Sequence, residues 1–159
     1  MLTTLRNAWK IADLRKKILY TLLMLLITAA SLGFIITVGG SLMESYSLSR
    51  LEETVDDNAD EIKFGRDGLD VGDDFEPYAG GAYTLVYSGA GLLLHGRVPP
   101  GFNPGEPFLE GEPYIVACPG GDFYLYDRRL DGGALWLRGV LPVSAVGGFP
   151  LIAARLAFF

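Results

Sequence analysis

Very few side chains in this sequence could carry chemistry. There is one histidine, His95, and one cysteine, Cys118. A thiol attacks only as the thiolate, which needs a neighbouring base, cation or helix N-terminus to form at neutral pH. His95 lies in the strand-like stretch "LLLHGR" with no partner motif around it, and reads as a satisfied strand residue. Cys118 has no second cysteine to pair with inside the chain and reads as a structural thiol. Carboxylates are plentiful, and the pairs Asp56–Asp57 and Asp73–Asp74 raise the question of calcium. A calcium loop needs oxygens at alternating positions and a closing acidic residue. "DGLDVGDDFE" has the oxygens without that order, so solvated surface is the better reading. The zinc motif H-E-x-x-H, the P-loop, the G-x-S-x-G elbow and C-x-x-C are all missing. No catalytic residue, cofactor or metal site is therefore expected. The aromatics Tyr83, Tyr87, Phe123, Tyr124, Tyr126 and Trp136 read as core and sheet-face residues, some of which could line a small-molecule pocket. Binding or mechanical transmission is the function left.

The elements that would position such a function begin with an apolar run. Ile18 to Val38 is 21 residues without an ionisable carboxylate, amine or guanidinium. As a helix it would be roughly 30 Å long, the thickness of a bilayer's hydrocarbon core. A cleaved secretory signal would be shorter, and this run continues well past the small-residue stretch "TAAS". Charge divides across it. Residues 1–17 carry Arg6, Lys10, Arg15, Lys16 and Lys17 against Asp13, a net of +4, while residues 39–159 carry a net of −10, together the −6 of the whole chain. Basic flanks stay in the cytoplasm, which places the N-terminus inside and the acidic part outside. A lobe of net −10 repels nucleic acid and anionic lipid alike, so no nucleic-acid partner is expected. Residues 1–17 are a basic flank whose Leu5, Trp9, Ile11 and Leu14 can lie against headgroups.

After the span, Leu48, Leu51, Val55 and Ile62 recur at spacings of 3, 4 and 7, with Asn58 completing the stripe. That pattern is a coiled-coil-like seam, and a weak homodimer through these four residues is expected. The same stripe would equally serve a helix packing on its own domain. Gly39–Gly40 is the expected place for a kink, and Ala29 and Gly33 form a small-xxx-small pair. Residues 63–80 are rich in Gly and Asp and read as irregular. Strands follow at about Ala82–Tyr87, Leu92–Gly96, Pro113–Cys118, Asp122–Arg128 and Ala134–Leu141, with turns at Ser88–Gly91, Pro119–Gly121 and Leu130–Gly133. "VPPGFNPGEPF" has four prolines in eleven residues and must be a rigid loop. The expected fold is α+β, a long helix against one face of an antiparallel sheet of about five strands. From Phe149 the chain is apolar apart from Arg155, and residues 149–159 read as the entrance to a second span. The division expected is a cytoplasmic segment 1–17, a span 18–38, an extracytoplasmic domain 39–148 and the truncated second span.

Residues 28–159 resemble the N-terminal sensor region of bacterial membrane sensor histidine kinases. The likeness rests on the span, the juxtamembrane "LEETVDDNADEI", then "VYSGAGLLLHGRVPPGF", "YDRRL" and "WLRGV" leading toward a second span. The resemblance implies a PAS- or Cache-like sensor sheet in a bacterial cell membrane, a homodimer, an unknown extracellular ligand, and a response regulator reached only through cytoplasmic modules this chain lacks. His95, on the outer side, is not the phosphoacceptor. Residues 1–27, "MLTTLRNAWKIADLRKKILYTLLMLLI", instead resemble the N-terminus of the translocon subunit SecY, although the loop expected next in SecY is replaced by "TAASLGFIITVGG". The alternatives to a sensor are thus a SecY-like membrane fragment and a single-span anchored binding protein.

Overall fold

The computed structural model describes residues 2–146. A short helix, α1 (Leu2–Ala8), is followed after a three-residue break by α2 (Ala12–Asp60), 49 residues long. At 1.5 Å per residue α2 measures about 74 Å. Its first half presents apolar side chains outward in every direction. Leu22, Leu25, Leu26, Phe34 and Ile35 are each more than half exposed, and no residue of the most apolar window is buried. Among the described residues this is one helix long and apolar enough to cross a membrane, a test that an N-terminal signal sequence also passes.

The hydroxyls of this stretch are satisfied within the helix, as that of Thr54 is further along. Thr21, Thr28, Ser31 and Thr37 each donate to the carbonyl four residues back, at 2.8–3.0 Å. In hydrocarbon an unpaired hydroxyl would cost several kcal/mol, and bonding backward along the helix removes that cost. The helix also runs unbroken through Gly39 and Gly40, where a kink was expected. Two glycines weaken a helix by roughly 1 kcal/mol each relative to alanine, which does not by itself interrupt a run hydrogen-bonded on both sides.

Glu61 ends α2, its N–H donating to the Asn58 carbonyl at 3.2 Å. The region 63–80 is not irregular as expected. It holds a hairpin of β1 (Ile62–Gly65) and β2 (Gly68–Val71), and a two-residue strand β3 (Tyr78–Ala79). The Arg66–Asp67 turn closes on Gly68 at φ 111°, a backbone angle glycine adopts without penalty. Gly65, Asp67 and Gly68 are thus the turn of a hairpin, while Gly72, Asp73 and Asp74 lie in the irregular stretch 72–77 that follows it.

The remaining strands fall where alternation placed them. They are β4 (Ala82–Ser88), β5 (Leu93–His95), β6 (Tyr114–Cys118), β7 (Gly121–Leu130) and β8 (Leu135–Pro142). They form one antiparallel sheet in the order β3-β4-β8-β7-β6, with β5 on β4. The fold is α+β, as the sequence indicates. Period-2 alternation sorts the side chains onto two faces. Thr84, Val86, Tyr124, Leu135, Leu137 and Leu141 meet α2, while Leu85, Tyr87, Phe123, Leu125 and Val140 meet the proline-rich loop after β5. Residues 149–159, read as a second span, lie outside the described residues.

Candidate functional site: the helix–sheet junction

The apolar stripe of α2 docks on the chain's own sheet. Leu51 and Val55 are buried in the core that the helix shares with β4, β7 and β8, and Leu48 packs at its edge. Ile62 is also buried, but from β1 rather than from the helix, which ends at Asp60. Of the residues expected to form a dimer seam, Leu48, Leu51, Val55 and Ile62, the chain's own core buries Leu51, Val55 and Ile62 and partly covers Leu48. Spacing alone does not separate the two cases, because a coiled-coil partner and a sheet demand the same periodicity.

Gly139 is what lets the helix come so close. It lies mid-β8 beneath α2, and a Cβ there would stand 2.7 Å from Leu51 Cδ1 and closer still to Val55. Those separations are well inside van der Waals contact, so any side chain at 139 would push the helix off the sheet.

Polar contacts fix the helix along its axis. Asn58, 3 % exposed, is held at both ends of its amide. Its Oδ1 accepts from the Glu76 N–H at 2.8 Å, and its Nδ2 donates to the Glu76 carbonyl and to Thr84 Oγ1, each at 2.9 Å. Three bonds satisfy most of the hydrogen-bonding capacity of a side chain that would otherwise be costly to bury. Two residues earlier, Asp56 receives Arg128 Nη1 at 2.6 Å, a pair about half in solvent. Nearest the apolar segment, Tyr124 donates to Glu44 Oε1 at 2.6 Å. Burial, together with the hydrogen bond to and the charge of Glu44, pushes the Tyr124 phenol up to about 12. From Glu44 to Asn58 the grip extends over about 21 Å of helix. Sequence reading placed Asn58 in the stripe without assigning it this role. The available signal was an amide where an apolar residue belongs.

The opposite face of the sheet carries the only fully buried charges among the described residues. Asp127 on β7 and Arg138 on β8 are cross-strand partners, 1 % and 0 % exposed. Arg138 Nε and Nη2 donate to the two Asp127 oxygens at 2.7 and 2.9 Å, a bidentate pair. The remaining valences hold the proline-rich loop. Arg138 donates to the carbonyls of Glu106 and Pro107 at 2.8 and 2.7 Å. Asp127 accepts from the Leu109 N–H at 3.0 Å and from the Tyr114 hydroxyl at 2.5 Å. Burial and the adjacent carboxylate both drive the Tyr114 phenol upward, so it stays protonated and donating. Around the pair is a column of flat groups. The Arg138 guanidinium lies 4.2 Å from the Phe108 ring centroid, Phe108 stacks on Trp136 at 4.9 Å, and Arg129 covers the Trp136 ring at 5.1 Å.

Neither reactive side chain joins these clusters. His95 stands on β5 with its ring edge-on to Phe75, centroids 5.2 Å apart, and Cys118 ends β6 half-exposed. Among the described residues no three His, Cys, Asp or Glu side chains are grouped to hold a metal ion. The contacts the described residues do make join α2 to the sheet from Glu44 to Asn58. No protein-family model matches the chain, and no curated protein or solved structure matches it either.

Proposed function

We propose that the chain is the signal-sensing and membrane-anchored portion of a bacterial two-component sensor histidine kinase, without its catalytic modules. The sheet is the extracytoplasmic sensing domain, the apolar half of α2 is the span, and the basic residues 1–17 face the cytoplasm. The observation that carries this reading is the single helix. The same unbroken α2 is apolar on all sides over 18–38 and clamped to the sheet from Glu44 to Asn58. A change in the sheet thus has a direct mechanical path to the bilayer. A stimulus that favours one arrangement of the sheet would shift the population of helix positions by its differential affinity. The kinase assignment rests on the resemblance of the quoted segments "VYSGAGLLLHGRVPPGF", "YDRRL" and "WLRGV" to sensor kinases.

Cys118 supplies the topology test. As the single thiol, half-exposed on the sheet, it reports on the side the lobe occupies. A membrane-impermeant maleimide should label it in intact cells, and labelling only after lysis would overturn the outward placement. The kinase assignment is tested in the gene beyond codon 159. A second span followed by a phosphoacceptor helix and ATP-binding motifs is expected. Further SecY-like spans, or no such modules, would transfer the reading to a translocon-like fragment or to an anchored binding protein.

A further inference from the structure

A small cleft at the β3–β4 end of the sheet has the make-up of a ligand site. Tyr78 and Tyr83 are cross-strand partners there, with ring centroids 4.7 Å apart and planes inclined at 58°. Together with Pro77, Arg97 and Pro100 they line a space of about 370 Å³. That is the size of the smaller natural ligand pockets, enough for one ring and its substituent.

The walls are held before anything binds. Thr84 N–H donates to the Pro77 carbonyl at 2.9 Å, which ties the start of β3 to β4. Gly96, at φ 102°, lets the chain leaving β5 pass so close to β4 that a Cβ would stand 2.6 Å from the Thr84 carbonyl oxygen. Arg97 is the next residue, so this close passage is what brings its side chain to the edge of the tyrosines. Pro99 and Pro100 then fix the direction of the chain. A preformed site loses little entropy on binding.

The charge of Arg97 is uncommitted. Arg50, Arg128, Arg129 and Arg138 each have a carboxylate within 3.3 Å. Among the described residues Arg97 forms no ion pair; Lys63 and Arg66 form none either, but of the three only Arg97 lines this cleft. A guanidinium without an ion-pair partner, lining the same cleft as two tyrosines, suits a planar ring that carries a carboxylate. The ring stacks on the tyrosines, and the carboxylate takes the two-pronged guanidinium fork. A ring without the carboxylate leaves the fork unused, and a carboxylate without the ring leaves the tyrosines wet.

We infer that the Tyr78–Tyr83–Arg97 cleft is a binding site for a small aromatic carboxylate. Binding there requires neither a membrane nor a kinase module, so it stands or falls separately from the signalling role. The test is titration calorimetry of the full chain in detergent micelles with benzoate as the probe and benzamide as its uncharged counterpart, after subtraction of micelle-only heats. Saturable binding of benzoate is expected with a Kd of ~1 mM, in keeping with a ligand of so few atoms. Benzamide should bind roughly tenfold more weakly or worse, the loss of a charged hydrogen bond. Arg97→Gln should remove that preference, and Tyr78→Ala should weaken both probes together. Both positions are exposed, so the variants should fold, and circular dichroism checks that. No saturable benzoate binding up to ten times the expected Kd, or an Arg97→Gln protein that still prefers benzoate, would overturn the site.

Discussion

One face of the sheet bears a helix and the other bears a loop, and the two are fastened differently. The helix lies on Leu51 and Val55 over the bare backbone of Gly139, with polar contacts at the margins. The proline-rich loop has little regular structure of its own, and a buried ion pair reaches out of the sheet to seize its backbone. The difference follows from what each partner presents. A helix has satisfied its own backbone and offers a side-chain stripe, so apolar burial suffices. A loop arrives with unpaired carbonyls and N–H groups, which must be bonded if they are covered. Asp127 and Arg138 supply those bonds.

This contrast is open to attack by substitution. The largest effect is expected on the loop face. Asp127→Ala should destabilise the folded chain by about 3–5 kcal/mol, because it leaves a guanidinium buried without its counter-ion. Urea unfolding of the detergent-solubilised chain measures it. Replacing both partners together, Asp127→Leu with Arg138→Met, should recover much of that loss in the sheet while the loop over 106–109 becomes protease-sensitive. If the double variant is no better than the single, the pair is not the isolated unit described here.

On the helix face, Leu51→Ala should cost about 3 kcal/mol in the same assay, the usual range for a buried leucine. Next comes Asn58→Ala at about 2 kcal/mol, since it strips a buried amide's partners from Glu76 and Thr84. A smaller effect, about 1 kcal/mol, is expected of Tyr124→Phe, and it carries a pH signature. The folded Tyr124 phenol is raised from 10.0 to about 12. Its contribution is complete below pH 10 and declines as pH climbs toward 12, because the unfolded chain releases that proton first. Other tyrosines add to the alkaline loss, so the informative quantity is the difference between wild type and variant, which should narrow over that interval. The least effect belongs to Tyr87, whose buried hydroxyl has no hydrogen-bond partner among the described residues. Tyr87→Phe should leave stability unchanged or raise it by up to ~1 kcal/mol.

The architecture was largely legible from periodicity. The five strands from Ala82 onward and the helix declare themselves by alternation and by the apolar run, because burial on one face imposes those periods. Three things were not legible for identifiable reasons. The β1–β2 hairpin is short, and its Gly and Asp residues serve the turn, so composition pointed to a loop. What covers the Leu48–Leu51–Val55 stripe is a tertiary fact that any apolar partner would satisfy. Gly139 shows as a glycine in "LWLRGV", but its role appears only once the helix lies above it. The Asp127–Arg138 pair was within reach. Counting outward from the tight turn at 131–134, Leu130 faces Leu135 and the fourth step brings Asp127 opposite Arg138. The register had only to be carried that far along the strands.

An uninterrupted rod gripped at one end also fixes an angle. Each residue of α2 advances the azimuth by about 100°, so one extra residue between Gly40 and Glu44 would swing the lobe about 100° around the helix axis and lift it 1.5 Å. Seven extra residues would bring it back to within about 20° of its starting heading. The direction the lobe faces, relative to the apolar half of the helix, is therefore set by residue count.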